Sequence, residues 1–243
     1  MATIVLLHGG GAGGWMWRYV APVLTAAGHS VFTPTFTGVG DRHHLISRDI
    51  THWTHVLDVA NLLEFNELED VVLVGYSYGG SVIPGVVSLQ PGRVSKALYL
   101  DAIIMHAGER LSEAMGYMDT ETASQVERTL ASGEGPLGAG TLEIVRAEAK
   151  AHPHKMSPER QAWMLAKITD IPLRSMVDPV RVGADSLTIP VEYLAVPEGS
   201  PVVNMHQRAR ELGWNISAAP DGCDHTFPFG QPEIAFDFIM KHI

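Results

Sequence analysis

Residues 71–81 read Val-Val-Leu-Val-Gly-Tyr-Ser-Tyr-Gly-Gly-Ser, an apolar, β-prone run that passes directly into a G-x-S-x-G pattern. A strand written this way is covered on both faces, which places it inside a parallel sheet rather than at an edge. Gly75, Gly79 and Gly80 then allow a very tight turn from strand to helix. That turn holds the Ser77 hydroxyl clear of the backbone. Taken alone, the pentapeptide is equally a glycine-rich turn that merely joins a strand to a helix, so the rest of the chain has to supply the context.

The context is a regular alternation. Residues 2–7 are a β-prone run ending in His8-Gly9-Gly10-Gly11-Ala12-Gly13-Gly14. A helix is expected over 15–27, with Trp17, Val20, Val23 and Leu24 on one face and Gly28 as its stop. A buried strand follows at 30–34, then a polar loop whose His43-His44 pair reads as solvated. Thr51 caps a helix to about residue 65, with Val56, Val59, Leu62 and Leu63 turned inward. After residue 81 come a helix to about 89 and a strand at 97–100 that ends in Asp101. Strands and helices at this spacing predict an α/β fold with a mostly parallel sheet flanked by helices.

The rhythm breaks from about 104 to 185, where helical patterns (111–130, 142–151, 158–168) and a Gly/Pro-rich stretch at 133–140 contain no buried strand. An all-helical insertion between two strands of one sheet is expected to sit over its carboxyl edge as a cap. The sheet pattern resumes at 189–196, followed by a helix to about 212, a strand at 215–219, a loop at 221–225 and a helix at 233–242. The expectation is one domain, 1–243, carrying an inserted cap.

Bulk properties narrow the function. With 46% apolar and 18% charged residues, the 243-residue chain has the composition of a globular enzyme. A net charge of −10 argues against nucleic acid or an anionic membrane as partner. The twelve histidines show no metal-ligand spacing and read mostly as surface or loop residues, so neither metal nor cofactor is expected. Cys223 is the single cysteine, no apolar run reaches the roughly 18 residues of a membrane span, and a strand starts almost at once. A cytoplasmic protein acting on a small molecule is expected, with a homodimer left open.

The glycine loop after the first strand lacks the Lys-Ser/Thr of a phosphate loop and the acidic residue of a dinucleotide site. Its backbone N–H groups suit an oxyanion hole instead. A serine needs a base and an orienting carboxylate. His225 is the natural base, since it alone among the later histidines lies in a loop between the last strand and the last helix, whereas His206 falls inside a helix and His242 at the tail.

Several segments carry a resemblance: His8-Gly9 through Gly13-Gly14-Trp15, Ala26-Ala27-Gly28-His29, residues 34–40, Gly75-Tyr76-Ser77-Tyr78-Gly79-Gly80, and Asp224-His225 with Gln231-Pro232-Glu233. The chain resembles the α/β-hydrolases, and within them bacterial relatives of the plant methylesterase and hydroxynitrile lyase branch. The resemblance implies Ser77 as nucleophile, His225 as base, and the N–H groups of Gly10 and Tyr78 as oxyanion hole. In that branch the acid sits in a T-E-D loop, but here the loop reads Pro197-Glu198-Gly199, which leaves Gly199 at the acid's position. Two carboxylates then compete as the acid: Glu198, adjacent on the Pro/Gly loop, and Asp101 at a strand end, with Asp101 favoured because a strand end is more rigid. The branch's lyases place a lysine after the catalytic histidine, where this chain has Thr226, so lyase activity on cyanohydrins is not expected.

The substrate-contact candidates are Gly11 and Tyr76 beside the site and Met115, Tyr117, Trp163 and Met164 in the cap. The leading expectation is a carboxylesterase for a small, largely apolar ester. Proton-transfer chemistry on the same fold (lyase, cyclase or cofactor-free oxygenase) and a non-enzymatic ligand receptor are the alternatives.

Overall fold

The computed structural model describes residues 1–151, 155–197 and 199–243, with only the backbone described for 148–151. Its centre is a six-stranded sheet of β1 (Thr3–Leu7), β2 (Ser30–Phe32), β3 (Val71–Tyr76), β4 (Val94–Leu100), β5 (Val191–Ala195) and β6 (Asn215–Ala218), ordered β2-β1-β3-β4-β5-β6. Every neighbouring pair is parallel. β3 lies inside the sheet and all six of its residues are buried.

Alternation along the inner strands feeds two cores, as the two-residue period of a strand requires. Val5 and Leu7, Val71 and Leu73, and Ala97 and Tyr99 pack on one face; Ile4 and Leu6, Val72 and Val74, and Leu98 and Leu100 pack on the other. Before β4 come α1 (Ala21–Ala26), α2 (His52–Phe65) and α3 (Gly79–Leu89). α2 and α3 cover the first face through Val56, Val59, Leu63, Val82, Ile83 and Val86. Thr51 caps α2 reciprocally, its side chain accepting from Thr54 N while the Thr54 hydroxyl accepts from Thr51 N.

Between β4 and β5 the chain forms α4 (Leu111–Ala114), α5 (Thr120–Ala131), α6 (Thr141–Ala151), α7 (Pro158–Leu165) and α8 (Arg174–Val177), with no strand of the sheet among the described residues. The segment leaves and returns at one place: Gly108 N donates to Val180 O, Val180 N to Glu109 O, and Ala184 N to Met105 O. α9 (Val203–Glu211) joins β5 to β6, and α10 (Phe227–Gly230) and α11 (Pro232–His242) end the chain. Trp17, Leu24, Ala235, Phe238 and Ile239 cover the second face.

Two of the expected helices are divided. Residues 15–27 form a 3-10 turn at Gly14–Trp17 and then α1, because Pro22 has no N–H to continue a helix and sits instead in the first turn of a new one. Residues 111–130 break between α4 and α5, where Gly116 takes φ 71° and Asp119 accepts Thr122 N as a fresh N-cap. Among the described residues no helix is long and apolar enough to cross a membrane.

Candidate active site

Ser77 leaves β3 with φ 50°, in the left-handed region that a side chain rarely adopts. The turn around it is closed by steric necessity. A Cβ on Gly75 would lie 2.8 Å from Gly80 Cα, one on Gly79 2.7 Å from Leu7 O, and one on Gly80 2.7 Å from Ala102 Cβ. Only glycine permits α3 to start this close to β1 and β4. Asp101, at the end of neighbouring β4, has φ 43°. Such strain costs about 1–3 kcal/mol per residue and persists where the surroundings over-determine it.

Ser77, His225 and Asp101 are brought together from three different strand ends. Ser77 Oγ lies 3.1 Å from His225 Nε2, and His225 Nδ1 lies 2.7 Å from Asp101 Oδ2. The loop bearing His225 follows β6 and is braced by Asp224, whose Oδ1 accepts both the Thr226 amide at 2.7 Å and its hydroxyl at 2.6 Å. The Tyr76 ring flanks the imidazole at a centroid distance of 5.0 Å.

Asp101 is fully buried. Its Oδ1 accepts from His206 Nε2 at 2.8 Å and Val196 N at 3.1 Å; its Oδ2 accepts from Ser200 Oγ at 2.6 Å as well as from His225. Burial alone would raise the pKa of this carboxyl, but the hydrogen bonds from His206, His225 and Ser200 outweigh it and hold the group well below the ordinary carboxylate range. The competing candidate, Glu198, lies outside the described residues.

The amides of Gly10 and Tyr78 border the cavity beside Ser77, and neither donates to another group among the described residues. The Gly10 loop is pinned by His8. Phe36 N donates to His8 Nε2 at 3.1 Å, so the ring proton sits on Nδ1 and is donated to Gly9 O at 2.8 Å. Tyr78 is held in the same way from behind, its hydroxyl donating to His55 Nδ1 at 2.7 Å while His55 Nε2 donates to Thr37 O at 2.9 Å. His52 Nε2 donates to Ser81 Oγ at 3.1 Å, and that hydroxyl in turn donates to Tyr78 O at 2.7 Å.

These buried histidines differ from the surface residues the sequence suggested. Burial is the main cause that lowers His8 to about 4 and His52 and His55 to about 3, so all three are neutral at pH 7. In the unfolded chain each would take up a proton near 6.5. Between pH 6.5 and 4 the unfolded state therefore binds protons that the folded state refuses, and stability falls with pH by up to about 1.4 kcal/mol per pH unit for each group. The melting temperature is expected to be flat above pH 7 and to drop steeply from 6.5 to 4. A flat profile down to pH 5 in a thermal-unfolding series would mean that these rings are not held neutral.

The site opens into a cavity of about 610 Å³, a size that suits a small organic ligand. Met115, Met164, Tyr76 and Tyr117 line it, with Tyr117 48% exposed. Two of the contact candidates do not. Trp163 lies behind Phe229, stacked on it at 5.6 Å and flanked by Arg18 4.5 Å above its ring, so its area is spent on packing. Gly11 turns away from the cavity: its carbonyl accepts Thr169 N at 2.9 Å, and a Cβ there would sit 2.4 Å from Thr169 O. Cys223 is buried beside the loop of His225 and its thiol is pushed up to about 12 by burial, which leaves it inert. Among the described residues no three His, Cys, Asp or Glu side chains converge as a metal site.

A parallel sheet whose strand ends deliver serine, carboxylate and histidine in that chain order defines an α/β-hydrolase. Residues 4–237 match the alpha/beta hydrolase family, and the chain belongs to it. It is 48% identical over 111 residues, 46% of each chain, to the carbendazim hydrolyzing esterase of Nocardioides sp. (strain SG-4G). It is 25% identical over 256 residues, 98% of this chain and 95% of the other, to methylesterase 18 of Arabidopsis thaliana. The chain spans about half the length of the first relatives it matches, 46% and 53%. Among solved structures, an extracellular alpha/beta-hydrolase from a Paenibacillus species superposes with a TM-score of 0.77 at 23% identity, covering 99% of this chain and 98% of that one.

Proposed function

We propose that the protein is a serine carboxylesterase acting on small, largely apolar esters, and the observation that carries this reading is the unbroken relay from Ser77 through His225 to Asp101 at the mouth of an apolar cavity. His225 Nε2 takes the Ser77 proton as Oγ attacks the ester carbonyl. The carbonyl oxygen, now negative, is received by the Gly10 and Tyr78 amides. When the tetrahedral intermediate collapses, the alkoxide leaves with the proton from His225, and an acyl group remains on Ser77. Water then attacks with His225 again as base and releases the acid. Asp101 keeps the Nδ1 proton in place and balances the imidazolium charge in both halves.

The helices between β4 and β5 serve as a cap over this centre. Met16, Met115, Met118, Met164 and Met176 line the cavity, and flexible thioethers adapt to differently shaped apolar substrates. Esterase and methylesterase relatives support the same class of reaction. Asp101 gives His225 a carboxylate where the Pro197-Glu198-Gly199 loop has a glycine at the acid's position, which supports hydrolysis over the non-hydrolytic alternative. Thr226, whose hydroxyl donates to Asp224, stands where the lyases of the branch carry a lysine, which weighs against cyanohydrin cleavage.

A fluorophosphonate probe tests the reading. The expected result is one covalent adduct, mapped to Ser77, with parallel loss of p-nitrophenyl ester turnover. A folded protein that takes no label at Ser77 and turns over no ester would refute it.

A further inference from the structure

His206 lies outside the relay, yet it holds the second oxygen of the relay's carboxylate. We propose that His206 is a positioning residue: by donating Nε2–H to Asp101 Oδ1 it presents Oδ2 to His225 and sets the share of the carboxylate's charge that His225 receives. This rests on the reading of Asp101 and His225 as acid and base.

The geometry is specific. A carboxylate has about four lone-pair sites, and Asp101 has four donors: Val196 N and His206 on Oδ1, Ser200 Oγ and His225 on Oδ2. Val196 N is fixed by the backbone at the end of β5, so among the described residues His206 is the one side chain that anchors Oδ1. It emerges from α9, 5% exposed, with its ring edge-on to Tyr193 at 5.8 Å. Tyr193 is itself immobilised, its hydroxyl accepting Ala102 N at 3.0 Å and donating to Ala102 O at 2.9 Å.

The titratable groups facing the cluster are Asp101 from β4, Tyr193 from β5, and His225 and Cys223 from the loop after β6. On α9 itself Arg208 is turned away to Glu109 and Ile104 O. Asp101, ionised, only accepts, so both imidazoles must offer it an N–H, and one negative charge is divided between them.

Without the His206 donor, more of that charge falls to His225. The imidazolium is then better stabilised, and the acidic limb of kcat/KM against pH moves to higher pH. The carboxylate also loses an anchor, so kcat falls by about ten- to a hundredfold, the order for one hydrogen bond to a charged group. KM stays unchanged, because His206 does not line the cavity. His206→Phe should show all three effects. His206→Gln keeps an N–H at similar reach and should restore both kcat and the limb.

The experiment is ester turnover against pH and melting temperature for the wild type and both variants, together with low-field proton NMR without substrate. In the wild type two imidazole N–H protons bonded to carboxylate should resonate far downfield; His206→Gln removes one and His225→Ala the other. A limb that stays in place in folded His206→Phe, a Gln variant a hundredfold slow, or a single downfield proton in the wild type overturns the proposal. If the Phe variant does not fold, the Gln variant and the NMR decide. NMR needs no turnover, so a wild type that shows both protons but cleaves no ester refutes the esterase reading and leaves this one standing.

Discussion

Replacing Ser77 by alanine is expected to reduce ester turnover by about five to six orders of magnitude, because on the proposed mechanism the nucleophile is lost and none of the described residues nearby can stand in for it. Cys223 is too buried and too weakly acidic, and the hydroxyl of Ser200 is committed to Asp101. The protein should still fold. Among the described residues Ser77 Oγ has one partner, His225 Nε2 at 3.1 Å, and the turn is dictated by the contacts of Gly75, Gly79 and Gly80 rather than by the hydroxyl. Alanine keeps the φ of 50°, so the backbone strain is neither relieved nor increased. Substrate affinity should also survive, since the cavity walls and the amides of Gly10 and Tyr78 are untouched, and a residual rate above that in water would come from them. Single-turnover kinetics, ligand binding and the melting temperature measure these three separately. Turnover close to wild type would sink the serine mechanism.

The parts of the fold that could be read in advance are those written as local patterns. The apolar runs of β1 and β3 announce strands covered on both faces of the sheet, and the glycines around Ser77 announce a turn that other residues cannot make. Helix breaks were less legible, because Pro22 and the pair Gly116 and Asp119 interrupt runs whose apolar spacing continues across them. Long-range pairings leave no local trace. Asp101 and His225 are 124 residues apart and Asp101 and His206 are 105 apart, so the choice of carboxylate could be argued from strand-end rigidity but the second imidazole could not be foreseen. His206 is set within a helix, where a histidine carries no signal of its own. Trp163 illustrates the same limit for the helices between β4 and β5: an aromatic at a helical position faces the cavity or its neighbours according to packing alone, and here Phe229 and Arg18 take it.

Asp101→Asn is expected to lower turnover by about four orders of magnitude, and the hydrogen-bond pattern says how. An amide offers one acceptor and one donor where the carboxylate offered two acceptors. The oxygen must stay on the side of Val196 N, since a backbone N–H cannot become an acceptor, and the NH2 group must therefore face Ser200 and His225. Ser200 can rotate its hydroxyl to accept. His225 can accept only by giving up the proton on Nδ1, which moves it to Nε2, the nitrogen that has to receive the proton of Ser77. The imidazole is then held in the wrong tautomer, and the imidazolium loses its counter-charge. Stability should fall too, by about 1–3 kcal/mol, as charge-assisted bonds in a buried site become neutral ones. The pH dependence has a definite sign. Folding holds the Asp101 carboxyl well below its ordinary value of 3.8, so the wild type's advantage over the Asn variant is fully present above that pH and is lost as the pH falls below it. Glu198→Gln should leave both turnover and melting temperature nearly unchanged. An Asn variant that is folded and more active than the Glu198→Gln protein would move the acid's role away from Asp101.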